Sequence, residues 1–142
     1  MMSSTETATL ALIGRAIFKL GETGEPGLTR VADALALTTG QGIPFDAALG
    51  LSAGWHRRAQ LARRDQLLRE MAAQYFPRLG GRGAAAAITR AAASYTPTFD
   101  HDRKAKRRPS GVNGYVFDIM CIDAVPGEAR IRQILSEALA NN

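Results

Sequence analysis

Cysteine is almost absent from this sequence. Cys121 is the single one, which excludes an intramolecular disulfide. With only His56 and His101 to join it, a four-ligand zinc site is excluded too. Aromatic residues are few, at 6% of 142 residues, while alanine is abundant. Alanine buries little area, so any core must be thin and helical, with close helix approach replacing bulky side chains. No apolar run approaches the length of a membrane span. The first apolar stretch, Ala8–Leu20, has no basic segment before it and is broken by Gly14, Arg15 and Lys19, so no secretory signal is visible and the cytoplasm is the expected location. Gly80-Gly81-Arg82-Gly83 lacks the lysine and hydroxyl residue of a phosphate-binding loop. No paired carboxylates or nucleophile–base arrangement stand out. The sequence supports a binding protein over an enzyme, with no catalytic residue, cofactor or metal expected.

What the chain does have is segregated positive charge. Between Trp55 and Arg108 lie 13 basic and four acidic residues, a formal +9. Residues 1–54 carry three basic and five acidic groups, and residues 109–142 carry two and four. The basic stretch ends in a dense run, Arg103-Lys104-Ala105-Lys106-Arg107-Arg108. Such a field suits a polyphosphate or another acidic partner.

The apolar pattern predicts an all-α domain of five to seven helices spanning 1–142, with residues 1–4 frayed. Thr5-Glu6-Thr7 offers cap chemistry before Leu10, Ile13, Ile17 and Leu20, which recur at helical spacing. A second helix is expected over Leu28–Leu37 and a short one over Phe45–Leu49 after Pro44. A long helix follows from Ala53 to Phe76, with Trp55, Ala59, Ala62, Leu67, Met71 and Tyr75 as its inner stripe and an Asp65–Arg69 pair at i,i+4. Ala84–Tyr95 forms the next helix, ended by Thr96-Pro97. Phe99–Asn113 has no apolar period and reads as a basic loop or arm. Tyr115–Ile122 suits a short helix, and the last helix has Ile131, Ile134, Leu135 and Leu139 inward. Cys121, inside an apolar stretch, reads as a buried structural thiol.

Two helix–turn–helix arrangements emerge. One is Leu67–Phe76, the turn through Gly80 and Gly81, and Ala84–Tyr95. Its second helix opens on Ala84–Ala87, which read no base edges and suit close packing. Any nucleic-acid contact there would run through Arg78, Arg82 and Arg90 to phosphate. The other is Tyr115–Ile122, a turn at Asp123–Pro126, and Gly127–Leu139. Its Val125-Pro126-x-x-x-x-Ile131-x-x-Ile134-Leu135 pattern resembles the recognition half of many bacterial helix-turn-helix proteins. From Trp55-His56-Arg57-Arg58 to the C-terminal helix, the chain resembles uncharacterised proteobacterial proteins of phage or mobile-element setting. That resemblance transfers no site residues.

The reading is therefore a small DNA-binding, helix-turn-helix-like regulatory protein. Arg57, Arg58, Arg63, Arg64 and the run Arg103, Lys104, Lys106, Arg107 and Arg108 would neutralise phosphates, while Arg130, Arg132 and Gln133 would read bases, arginine favouring guanine and glutamine adenine. The alternative is a protein-binding inhibitor or anti-activator whose basic face docks on an acidic partner. The N-terminal helices, nearly uncharged on their faces, could form a homodimer seam.

Overall fold

A computed structural model describes residues 2–140, and of 138–140 the backbone alone. The expected inward position of Leu139 thus lies outside the described side chains. Seven helices and no strand are found among the described residues, as an all-α chain requires: α1 (Ser4–Glu22), α2 (Pro26–Gln41), α3 (Phe45–Ala48), α4 (Trp55–Tyr75), α5 (Gly81–Lys104), α6 (Val112–Ile122) and α7 (Glu128–Ala140). They fall into two compact units, 1–55 and 56–142. The boundary coincides with the change from mildly acidic to strongly basic sequence. No described helix is long and apolar enough to cross a membrane.

The first unit is a helical hairpin with a short appendage. Ser3, not Thr5, caps α1: its Oγ accepts from the Glu6 N–H at 3.1 Å, so order begins two residues earlier than the pattern suggested. Ile13, Ala16, Ile17 and Leu20 of α1 are half-buried, and α1 packs along α2. Pro26 opens α2, where its missing N–H costs nothing. The helix runs past Thr38-Thr39-Gly40 to Gly42, whose left-handed φ of 70° lets its N–H close on the Thr38 carbonyl at 3.1 Å. The Arg30 guanidinium donates to the Leu49 carbonyl at 3.0 Å and ties α2 to the end of α3. Among the described residues of this unit only Ala32 and Ala34 are buried, while Leu10, Leu12 and Phe18 are 45%, 56% and 64% exposed.

The second unit has a true core, centred on α5. Leu68 and Met71 of α4, Ile88 of α5, Val116 and Ile119 of α6, and Ile131 and Ile134 of α7 are fully buried. Ala84, Ala85, Ala87 and Ala92 are buried on α5, where small side chains let α6 and α7 approach closely. The alanine run therefore serves packing. Only the second half of α4 joins the core, since Ala59 and Ala62 are exposed and Trp55 is half-buried. Tyr115 fixes α6 to α4, stacking edge-on against Tyr75 at 5.8 Å and donating its hydroxyl to Gln74 Oε1 at 2.9 Å. Cys121 is exposed instead of buried. Partial desolvation of the thiol by its neighbours and the nearby Asp118 push its pKa up, which disfavours the reactive thiolate.

The expected arm is the main correction. Helix α5 does not stop at Pro97 but continues to Lys104, and α6 begins at Val112. Pro97 and Ala93, whose carbonyl loses its partner, both lie exposed, so water can satisfy the freed group. Beyond the proline, Phe99 is buried edge-on against Phe117 at 5.7 Å. Tyr95 Oη donates to the buried Asp102 Oδ2 at 2.8 Å. Tyr95, Phe99 and Asp102 lie along one face over about two turns and hold the helix together across its weak point.

Candidate nucleic-acid interface

The basic residues proposed from sequence divide into two groups once their neighbours are seen. The larger group is engaged by carboxylates. Arg57 donates to Asp123 at 2.6 Å, and Arg64 reaches the same carboxylate at 3.8 Å. Arg64 is 11% exposed and makes a two-point contact with Asp65 Oδ1 through Nε at 3.1 Å and Nη2 at 2.9 Å. Asp65 also faces Arg130 at 3.8 Å, and Arg130 faces Glu137 at 3.6 Å. The chain of charges thus links α4, the α6–α7 turn and α7. It also takes Asp65 away from Arg69, so the expected i,i+4 pair does not form. The Ala124 N–H and Arg57 hold the Asp123 carboxyl below the usual carboxylate range.

Further pairs are Arg63–Glu70 at 3.7 Å, Arg103–Asp100 at 3.4 Å and Arg132–Glu128 at 3.6 Å. Arg103 also lies over the Phe99 ring at 5.5 Å. Arg108 grips Asp118 through two parallel bonds, Nε–Oδ1 and Nη2–Oδ2, both 2.9 Å. That bonding raises the Arg108 pKa. Arg58 and Gln133 are exposed on α4 and α7. Arg130 and Arg132 would have to leave their carboxylates to read bases. The close backbone contacts of α6 and α7 run to α5 and not to each other among the described residues, so α7 is held by a third helix.

The smaller group is Lys104, Lys106 and Arg107. All three are exposed, and none has an ion-pair partner among the described residues. They are held in a defined helix end, not on a loose arm. The Arg107 N–H bonds the Asp102 carbonyl at 2.9 Å, and the Lys106 N–H bonds the Arg103 carbonyl at 3.2 Å. This 6→1 and 5→2 pair is the Schellman closure, in which the residue after the C-cap takes a left-handed conformation. Glycine is the usual occupant. Here it is Lys106, at φ 52°, the one non-glycine with positive φ among the described residues. A side chain in that region costs about 1 kcal/mol or more.

Three arginines join this group. Arg78, Arg82 and Arg90 are exposed and without an acidic partner among the described residues. On an ideal helix Arg82, Arg90 and Lys104 fall within an arc of about 80° and span about 33 Å. Asp100, on the same face, is already paired with Arg103. Arg82, Arg90 and Lys104 thus run along the outer face of α5, with Lys106 and Arg107 at its C-terminal end and Arg78 just before its start. His56 is exposed. Asp102 turns inward to Tyr95, away from Asp100 and His101, and no cluster of three metal-ligating side chains exists among the described residues.

No protein-family model, curated protein or solved structure matches this chain.

Proposed function

We propose that this protein binds double-stranded nucleic acid through the outer face of α5 and its C-terminal closure. The observation that carries the reading is Lys106. A glycine would fit the left-handed position better, yet the chain keeps a cation there, between two other cations with no acidic partner. A lysine at a helix C-terminus gains from the helix dipole, which accounts for Lys104 but not for Lys106 in a strained conformation. The α5 row spans about 33 Å, close to the ~34 Å of one duplex turn, and is suited to phosphates on one side of it. Lys104, Lys106 and Arg107 contribute most of the affinity. Arg57, Arg58, Arg63, Arg64, Arg103 and Arg108 add to the field, reduced where a carboxylate faces them. Base reading by Arg130, Arg132 and Gln133 of α7 is a second step that requires the Asp65, Glu137 and Glu128 contacts to open.

The first unit supplies the pairing. Its exposed Leu10, Leu12 and Phe18, with only two buried alanines, leave a hairpin that lacks a core of its own. A second copy covering it would form a four-helix arrangement and present two α5 faces, as suits a regulatory protein of bacterial, phage or mobile-element setting.

Fluorescence anisotropy on a labelled duplex tests this. Alanine at Lys104, Lys106 and Arg107 together should weaken binding at least tenfold, while Arg130→Ala with Arg132→Ala should change it less. Equal loss from both sets would return the interface to α7. If duplex DNA is ignored at low salt and an acidic polypeptide such as polyglutamate binds, the partner is an acidic protein.

A further inference from the structure

A second site lies on the opposite end of α5, away from the cationic closure. Between the end of α4 and the start of α5 is an open groove of about 220 Å³, lined by Arg69, Ala72, Ala73, Phe76, Leu79 and Leu135. Its walls are apolar except for Arg69. That guanidinium makes no ion pair and no hydrogen bond among the described residues, and its Nε is shielded from solvent without an acceptor. The neighbouring acids are already engaged: Asp65 by Arg64 and Arg130, Glu70 by Arg63 and Gln66. A part-buried cation without a counter-charge is costly, and a hydrogen-bonded anion removes that cost. Gly81 opens α5 beside the groove with no capping side chain and no acid in the first turn, so the local field favours negative charge as well.

We propose that this groove binds a small monocarboxylic acid with a compact branched apolar group. The apolar part rests on Ala72, Ala73, Phe76 and Leu79, and the carboxylate meets the Arg69 guanidinium. A groove of about 220 Å³ has room for a five- or six-carbon acid. None of Arg82, Arg90, Lys104, Lys106 and Arg107 lines the groove, although Arg82 adjoins it at Gly81.

The full chain, labelled at alanine and leucine methyls, would be titrated with 4-methylpentanoate and, separately, with the neutral 4-methylpentanol. Saturable shifts are expected at Ala72, Ala73 and Leu79 with the acid, and about tenfold weaker binding with the alcohol. Arg69→Gln should bring the acid down to the alcohol's affinity while the shifts of the buried methyls of Ala85 and Leu68 stay in place. Ala73→Phe, which fills the groove from its exposed rim, should abolish binding with Arg69 intact. Equal binding of acid and alcohol, unchanged acid binding in Arg69→Gln, or no saturable shift at tens of millimolar acid would each overturn the proposal.

Discussion

Tyr95 and Asp102 face each other across Pro97, hydroxyl to carboxylate at 2.8 Å, on the buried side of a helix whose ladder is interrupted on the other side. This bond explains why α5 survives its proline and therefore why the basic run is presented on a folded helix end. Removing the hydroxyl in Tyr95→Phe leaves a buried carboxylate short of a donor, a cost of about 1–3 kcal/mol. Hydrogen exchange should quicken in Phe99–Lys104 more than in Ala84–Ala92. The pH dependence has a definite sign. Burial, reinforced by the bond to Asp102, pushes the Tyr95 pKa from 10.0 up to about 12. The associated stability is full below pH 10 and is lost as pH rises toward 12, roughly 2–3 kcal/mol in all. Urea unfolding of the wild type should weaken over that interval, and Tyr95→Phe should lack this part of the decline.

Lys106→Gly separates fold from charge. Glycine takes φ 52° without strain, so thermal unfolding should shift upward by the equivalent of about 1 kcal/mol. The same variant loses a cation and should bind duplex DNA more weakly. A variant at once more stable and less active in binding is the signature of a residue kept for its charge.

Gly114 supports the other end of the connection. A Cβ there would meet the Pro109 carbonyl at 2.6 Å and the Arg108 guanidinium at 2.9 Å. Gly114→Ala must displace Arg108 from Asp118 or shift the backbone, at about 1–3 kcal/mol. Chemical denaturation should show the loss. Gly127→Ala, where a Cβ meets nothing, should not.

Self-association through the first unit is tested at its exposed apolar side chains. Leu12→Lys with Phe18→Lys should convert a dimer to a monomer in sedimentation velocity and leave the helix content of the second unit in place. A wild-type chain that sediments as a monomer at high micromolar concentration would remove the seam from the account.

Much of this architecture could be read from the residue pattern. The periodic leucines and isoleucines of α1 and α7, the breakers after α1, and Pro44 before α3 mark elements that the structure contains. Other features depend on contacts that no local pattern carries. Pro97 looks terminal unless the buried Phe99 and the Tyr95–Asp102 bond are known. Arg57 and Asp123 are 66 residues apart in sequence, so their pairing is invisible to helix periodicity. The i,i+4 rule gave Asp65 to Arg69, but packing placed Arg64 and Arg130 nearer. Charge density marked a basic segment without separating paired from unpaired cations. Arg78, Arg82 and Arg90, set aside with the alanine helix, are among the unpaired ones. The left-handed Lys106 has no sequence signal at all, since nothing about lysine favours that conformation.

The central claim concerns backbone contact by the α5 end, and the salt dependence of duplex binding tests it most directly. Each phosphate neutralised adds about 0.9 to the slope of log affinity against log salt. The wild type should show a slope of several units, and alanine at Lys104, Lys106 and Arg107 should reduce it by about two to three. A slope that is flat, or one that the triple substitution leaves unchanged, would contradict the account.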